Sequence, residues 1–262
     1  DKGTNDKITE IIEDFNPDIV AYDTHYPKLV VEDKRNVNRI NVLVLRKMKD
    51  ELLLQTLNDP SIKLFSKILI PHSKEEFLSY NVDPIIMDKI LFSPKMLFTG
   101  PVVKELNKEK IPDIEEKYKI GKKDYVIVAI SGGGGQYPGA TSTDDYFEEC
   151  MNAFEKVASE IYNLKCILVK GPLCKKVFKS TNDKIEVVDY EDNLLELMSC
   201  SNLIVSRAGY NAINEILSLG IPAVLLEIEC THDDQAERAK YLENKTDSVY
   251  LTDENKIADT IM

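Results

Sequence analysis

Basic charge is in short supply in this chain. Its 33 lysines and arginines stand against 45 aspartates and glutamates, a formal net charge of −12. Nucleic acid is thereby excluded as a partner, because binding a phosphate backbone needs a basic field. A single nucleotide is not excluded, since it needs only a local cluster of N–H donors. Nor does net charge speak to a membrane surface, where a small basic or apolar face suffices for docking. Cysteine is equally uninformative as a scaffold: Cys150, Cys166, Cys174, Cys200 and Cys230 are odd in number and show no C-x-x-C spacing. That argues against a disulfide framework and a structural zinc site, and for reduced thiols in a cytoplasmic protein. No apolar run approaches the ~20 residues of a membrane span. The charged start, Asp1-Lys2-Gly3-Thr4-Asn5-Asp6, is no signal peptide. Low-complexity sequence is missing too. The chain opens without methionine and stops at Ile261-Met262 inside a predicted helix, so both ends of the natural protein are expected to be absent.

What is present is an alternation of short apolar runs and amphipathic stretches. In the first part, residues 8–15 read as a helix with Ile8, Ile11, Ile12 and Phe15 on one face. Strands are expected at 18–22, 41–45, 67–70 (stopped by Pro71) and 95–98, each the compact apolar kind that a buried parallel sheet uses. The turn at Thr99-Gly100-Pro101 and the charged segment 104–123 mark a boundary, giving domains 1–103 and 104–262. A second series follows, with strands at 125–131, 165–170, 185–188, 202–206 and 223–227. Helices are predicted at 143–161 (apolar Phe147, Met151, Phe154 and Val157), 193–200, 211–219 and 233–243. The fold class is α/β: two doubly wound, Rossmann-like parallel-sheet domains.

Three strand-to-helix junctions in the second series carry the chemistry. The first is Ser131-Gly132-Gly133-Gly134-Gly135-Gln136. Consecutive glycines let backbone N–H groups approach an anion and take positive φ without a Cβ penalty. Neither a P-loop Gly-Lys-Ser/Thr nor a dinucleotide fingerprint is formed; the plain alternative is a flexible turn. About 75 residues later comes Ser206-Arg207-Ala208-Gly209-Tyr210-Asn211, at the carboxyl end of a predicted strand, where open α/β sheets bind ligands. Glu215, two turns into the following helix, suits a diol as an acidic residue does a ribose; otherwise it is a solvated helix residue. The third junction, Thr231-His232-Asp233-Asp234-Gln235, offers Gln235 to a sugar hydroxyl. Asp233 or Asp234 caps the helix, and His232 is either a ligand contact or a loop histidine. The pair Asp144-Asp145 is read as the start of a helix capped by Thr143 and not as a metal site.

The order of the glycine-rich loop, "VVDYEDNLLELMSCSNLIVSRAGYNAINEILSLGIPAVLLE" and "HDDQAERA" resembles the C-terminal half of family-28-type GT-B glycosyltransferases, over roughly residues 98–245. The resemblance implies two Rossmann-like domains facing a cleft, with a nucleotide-diphosphate sugar, a UDP-sugar for preference, held mainly by the second. Gly133 to Gly135, with Ala208 and Gly209, would then meet the diphosphate. Glu215 would hold the ribose, Asp234 and Gln235 the donor sugar, and backbone near Val188 to Tyr190 the base. Ser131, Gly132, Gln136, Arg207, Asn211 and His232 complete the candidate binding set. An early glycine-rich loop common in the family is missing here.

At the end of the first predicted strand, Asp23 and His25 are candidates to take the proton from an attacking acceptor hydroxyl. The alternative is that Asp23 caps the next helix and His25 is incidental. The activity expected is inverting transfer without metal or other cofactor. Helix N-termini would stabilise the departing diphosphate. A hydrolase or epimerase on the same scaffold, or the donor-binding subunit of a split transferase, are the alternatives. The acceptor is unknown. A lipid-linked acceptor and peripheral contact with the inner face of the membrane stay open for such a family, although no amphipathic basic helix supports them.

Overall fold

A computed structural model describes residues 2–36, 38–132, 142–226 and 234–262. The chain divides into two compact units, Asp1–Val102 and Val103–Met262. The first is built in order from α1 (Lys2–Phe15), β1 (Ile19–Asp23), α2 (Lys28–Val31), β2 (Ile40–Val44), α3 (Asp50–Asn58), β3 (Lys67–Ile70), α4 (Lys74–Ser79), α5 (Pro84–Leu91) and β4 (Met96–Phe98). Its four strands lie side by side in sequence order, all parallel, with Ile19 opposite Ile40, Val42 opposite Lys67 and Ile68 opposite Met96. Successive side chains alternate across the sheet. Leu43, Leu45, Ile68 and Ile70 therefore share one face, buried with Leu53, Phe65, Phe77, Ile86 and Ile90. Of the face predicted for α1, only Ile12 is buried; Ile11 and Phe15 stand exposed.

The second unit runs α6 (Ile111–Lys117), β5 (Tyr125–Ile130), α7 (Thr143–Glu160), β6 (Leu164–Val169), β7 (Ile185–Val188), α8 (Leu194–Ser199), β8 (Leu203–Arg207), α9 (Tyr210–Leu219), β9 (Ala223–Leu226), α10 (Gln235–Lys245), β10 (Val249–Thr252) and α11 (Ile257–Ile261). Its parallel sheet has the order β10-β9-β8-β5-β6-β7. One face packs Ile127, Ala129, Cys166, Leu168 and Val205 against Phe147, Phe154 and Val157 of α7. The other packs Val128, Ile130, Ile167, Val169 and Ile204 against Leu197, Ile213, Ile216 and Leu242. Both faces are covered, which is why these strands read as unbroken apolar runs.

Two sequence expectations need correction here. The sheet has six strands, not five: Val249-Tyr250-Leu251-Thr252 pairs with β9 at the edge, and its half-exposed Tyr250 hides the apolar pattern. The cap of α7 is Ser142, whose Oγ accepts the Asp144 N–H at 3.1 Å; Thr143 is the first helical residue and fully buried. The Asp144-Asp145 pair sits in the first turn, where the helix dipole favours negative charge.

Candidate functional site

The strand order of the second unit reverses between β5 and β8. From β5 the chain moves outward through β6 to β7, then returns to β8 on the other side of β5 and moves outward again to β9 and β10. At such a reversal the connections leave in opposite directions and open a crevice at the strands' carboxyl ends. Register places Ile130 opposite Ser206, so Ser131-Gly132 and Arg207-Ala208-Gly209 emerge side by side there. Two of the three predicted junctions thus flank one switch point.

The local geometry of each junction follows from its residues. Gly132 takes φ 53, a left-handed backbone that favours glycine. Ser131 presents an Oγ that is buried without a hydrogen-bond partner among the described residues. Across the crevice, Gly209 is the N-cap of α9 with an ordinary φ of −67, and no side chain among the described residues caps the helix. The first N–H groups of a helix point outward with the positive end of its dipole, so this opening suits an anion. Asn211 is exposed in its first turn, and Ala208 is fully buried.

Glu215 lies on α9 one turn further on. It is half-buried, and burial pushes its carboxyl above the ordinary 4.5, with the Lys104 charge pulling the other way. No hydrogen bond among the described residues relieves that cost. Gln235, at the start of α10, is 9% exposed, and its Oε1 also has no partner among the described residues. Buried polar atoms are normally satisfied, and those that are not often mark a ligand site. Asp234 is the N-cap residue of α10 and makes no side-chain cap bond among the described residues, while Asp233, the other cap candidate, lies outside them. Val188 ends β7 and Tyr190 follows it, 56% exposed. Gly133, Gly134, Gly135, Gln136 and His232 lie outside the described residues.

In the first unit, Asp23 is the last residue of β1 and His25 follows two positions later; both are exposed. Asp23 does not cap α2, whose N-cap is Pro27 with no side-chain cap bond. Its Oδ1 accepts the Thr24 hydroxyl at 3.0 Å, and Thr24, at φ 63, accepts from Arg46 Nε at 2.9 Å.

Several residues that shape the second unit's crevice escaped the sequence reading. Tyr146, fully buried in α7, donates its hydroxyl to the carbonyls of Ile130 at 2.8 Å and Val205 at 3.1 Å, one from each side of the switch point. Arg207, already in the candidate binding set, donates to Thr143 Oγ1 at 3.0 Å, tying the end of β8 to the start of α7, a partnership the sequence did not suggest. Arg238, 2% exposed, donates to the Ala208 carbonyl at 2.8 Å and lies over the Tyr210 ring at 5.7 Å. Its signal was its position three residues after Gln235, which puts both on one side of α10.

Residues 142–261, just under half of the chain, match the glycosyltransferase family 28 C-terminal domain. The chain resembles the GT-B glycosyltransferases of family 28. Among the relatives of this GT-B chain is the UDP-N-acetylglucosamine--N-acetylmuramyl-(pentapeptide) pyrophosphoryl-undecaprenol N-acetylglucosamine transferase of Aquifex aeolicus. It is 27% identical over 85% of this chain and 60% of its own length. An uncharacterized glycosyltransferase of Methanosarcina mazei is 23% identical over 91% of this chain and 61% of its own. The chain therefore spans about three-fifths of these curated relatives. Among solved structures, the S. aureus MnaA–UDP complex superposes with a TM-score of 0.62 at 12% identity, covering 99% of this chain and 69% of that one. At that identity the likeness is one of fold. The family match covers the Arg207–Glu215 and Asp234–Gln235 junctions and leaves the Ser131–Gln136 loop outside.

Proposed function

We propose that the protein is a glycosyltransferase that moves a sugar from a nucleotide-diphosphate sugar, a UDP-sugar for preference, to an acceptor hydroxyl with inversion and without a metal ion. One observation carries the reading: two strand-to-helix openings flank the switch point of a Rossmann-ordered sheet, within a unit that matches the family-28 C-terminal domain. The second unit, from about residue 104, is the donor domain in this proposal, and the first, 1–103, the acceptor side.

The roles follow from the chemistry each group offers. The uncapped start of α9 at Gly209, with Ala208 and the Ser131–Gln136 loop, receives the diphosphate; fixed N–H dipoles stabilise its growing charge as the bond to the sugar breaks. Arg207 holds this turn, and Asn211 is free in the first turn of α9 to reach the same ligand. Glu215 accepts the two ribose hydroxyls. Gln235, with Asp234 and His232, meets the donor sugar. Backbone from Val188 to Tyr190 reads the base. The acceptor oxygen attacks the anomeric carbon from the face opposite the leaving diphosphate, so one C–O bond forms as the other breaks and configuration inverts. Asp23 or His25 takes the acceptor's proton.

The Aquifex relative's name specifies a UDP-sugar donor and a lipid-linked acceptor. A lipid-linked acceptor met at the inner face of the membrane by peripheral contact is the corresponding proposal for this chain. Among the described residues no helix is long and apolar enough to cross a membrane. The test is incubation with UDP-sugars, with and without lipid-diphosphate sugar acceptors, in the presence of a chelator. Acceptor-dependent UDP release that survives chelation supports the proposal. Release that needs no acceptor turns the reading to a hydrolase, isomerisation of the donor to an epimerase, and activity restored only by Mg²⁺ overturns the metal-free mechanism.

A further inference from the structure

The segment after β7 is pinned on both sides of Tyr190. Before it, Asp189 pairs with Lys170 Nζ at 2.7 Å; that lysine is 5% exposed and also donates to the Lys176 carbonyl at 2.8 Å. After it, Glu191 turns inward and is 4% exposed. Its Oε2 accepts the hydroxyl of Tyr118 and the Lys117 ammonium, the latter at 2.6 Å. Its Oε1 accepts the Asn193 N–H at 2.9 Å. Tyr118 closes α6 and is itself fully buried. A carboxylate with three charge-assisted hydrogen bonds is a strong, geometrically defined anchor. Between these anchors Tyr190 is left with more than half of its surface exposed.

A plain loop would not need this arrangement. Burying a carboxylate is costly unless it is well paired, and an apolar side chain would fill the same space more cheaply. Here burial pushes the Glu191 carboxyl up, but its bonds to Lys117, Tyr118 and the Asn193 N–H bring it to below the ordinary 4.5, so it is held as a charge. What three directional bonds supply and an apolar plug does not is a fixed backbone path.

We propose that Glu191, braced by Tyr118 and Lys117, is a positioning residue that sets the backbone of residues 188–190 and presents the Tyr190 ring to the nucleotide base. The inference rests on the donor-site reading above. It assigns base selection to a buried strut whose far end lies more than 70 residues earlier in the chain.

Calorimetric binding of UDP and of inorganic pyrophosphate to wild type, Tyr118→Phe and Glu191→Gln tests it. Tyr118→Phe keeps the ring and deletes one donor; Glu191→Gln keeps the shape and deletes the charge. Expected is a fall of about tenfold in UDP affinity for each, with pyrophosphate affinity unchanged, because only the base end of the site moves. UDP affinity unchanged in both variants, or UDP and pyrophosphate affinities falling by the same factor, overturns the strut while leaving the donor site standing. A wild-type protein that binds no UDP overturns both. If neither variant shows a cooperative unfolding transition, Lys117→Met, at a half-exposed side chain, carries the same comparison.

Discussion

Glu215→Gln should make the free protein more stable and the donor complex weaker. The carboxylate is half-buried, its pKa is raised by that burial, and the described residues offer it no hydrogen bond. A carboxyl whose folded pKa exceeds its unfolded value binds more protons when folded. Stability therefore declines as pH rises from the unfolded value through the folded one, and at pH 7 the penalty is fully present. Glutamine removes that charge at nearly the same volume. The variant's unfolding temperature should exceed wild type at pH 7, and the difference should shrink as pH falls through the raised folded value and be gone below the ordinary 4.5.

On the ligand side the sign reverses. Hydrogen bonds to a charged acceptor contribute about 1.5–3 kcal/mol, so UDP affinity should fall roughly 10- to 150-fold. In a thermal-shift assay with UDP at 100 times the wild-type Kd, mass action stabilises wild type by about 2.7 kcal/mol, and a variant bound 30-fold more weakly by only about 0.9 kcal/mol. For a chain of this size that separates a shift of roughly 5–10 °C from one of about 2–3 °C. A Glu215→Gln protein that binds UDP as tightly as wild type refutes the ribose assignment. One that melts lower without ligand refutes the account of its burial.

Gly209→Ala should leave the unfolding temperature within about 1 °C of wild type, because φ is −67 and a Cβ there meets nothing within 4 Å among the described residues; UDP affinity should nonetheless fall at least tenfold by titration, since a ligand close to the backbone would object. Tyr146→Phe strips a shared donor from two buried carbonyls and should cost about 1–3 kcal/mol in urea unfolding. Within the first unit, burial pushes the Glu76 carboxyl up, but hydrogen bonds from His72, Tyr80 and the Ser73-capped turn leave it lowered on balance. Its contribution to stability is therefore present above its unfolded value and lost as pH falls through the folded one. Glu76→Gln should flatten the acid limb of the stability profile below pH 4.5, measured by denaturant titration.

Much of the fold was legible because a parallel sheet covered on both faces writes itself as apolar runs. β5, β6, β8 and β9 are such runs, and their predicted spans differ from the observed ones by a residue or so at the ends. β10 was not legible: four residues at an edge, one of them an exposed tyrosine, carry too little pattern. Likewise the periodic face of α1 suggested more burial than Ile12 alone provides. For the candidate site, glycines and the Glu215–Gln235 pair were visible because junction chemistry is local in sequence. Tyr146, Arg238 and Glu191 were not, since each acts on partners 16 to 73 residues away and looks, in sequence, like an ordinary helix or loop residue.

The double donation of the Tyr146 hydroxyl has an evolutionary side. One oxygen atom bridges a carbonyl from β5 and one from β8 where the crevice opens, while the hydrogen-bonded ladder itself fixes the distance between the two strands. A phenol has no homologue one carbon longer or shorter among the amino acids, so this bridge can be kept or abandoned but not tuned. Descendants that came to accept a larger sugar or a different base would have had to change elsewhere, in the turns that carry Gln235 and Tyr190. Lineages on this scaffold should accordingly vary at those turns and keep a tyrosine at this position of α7.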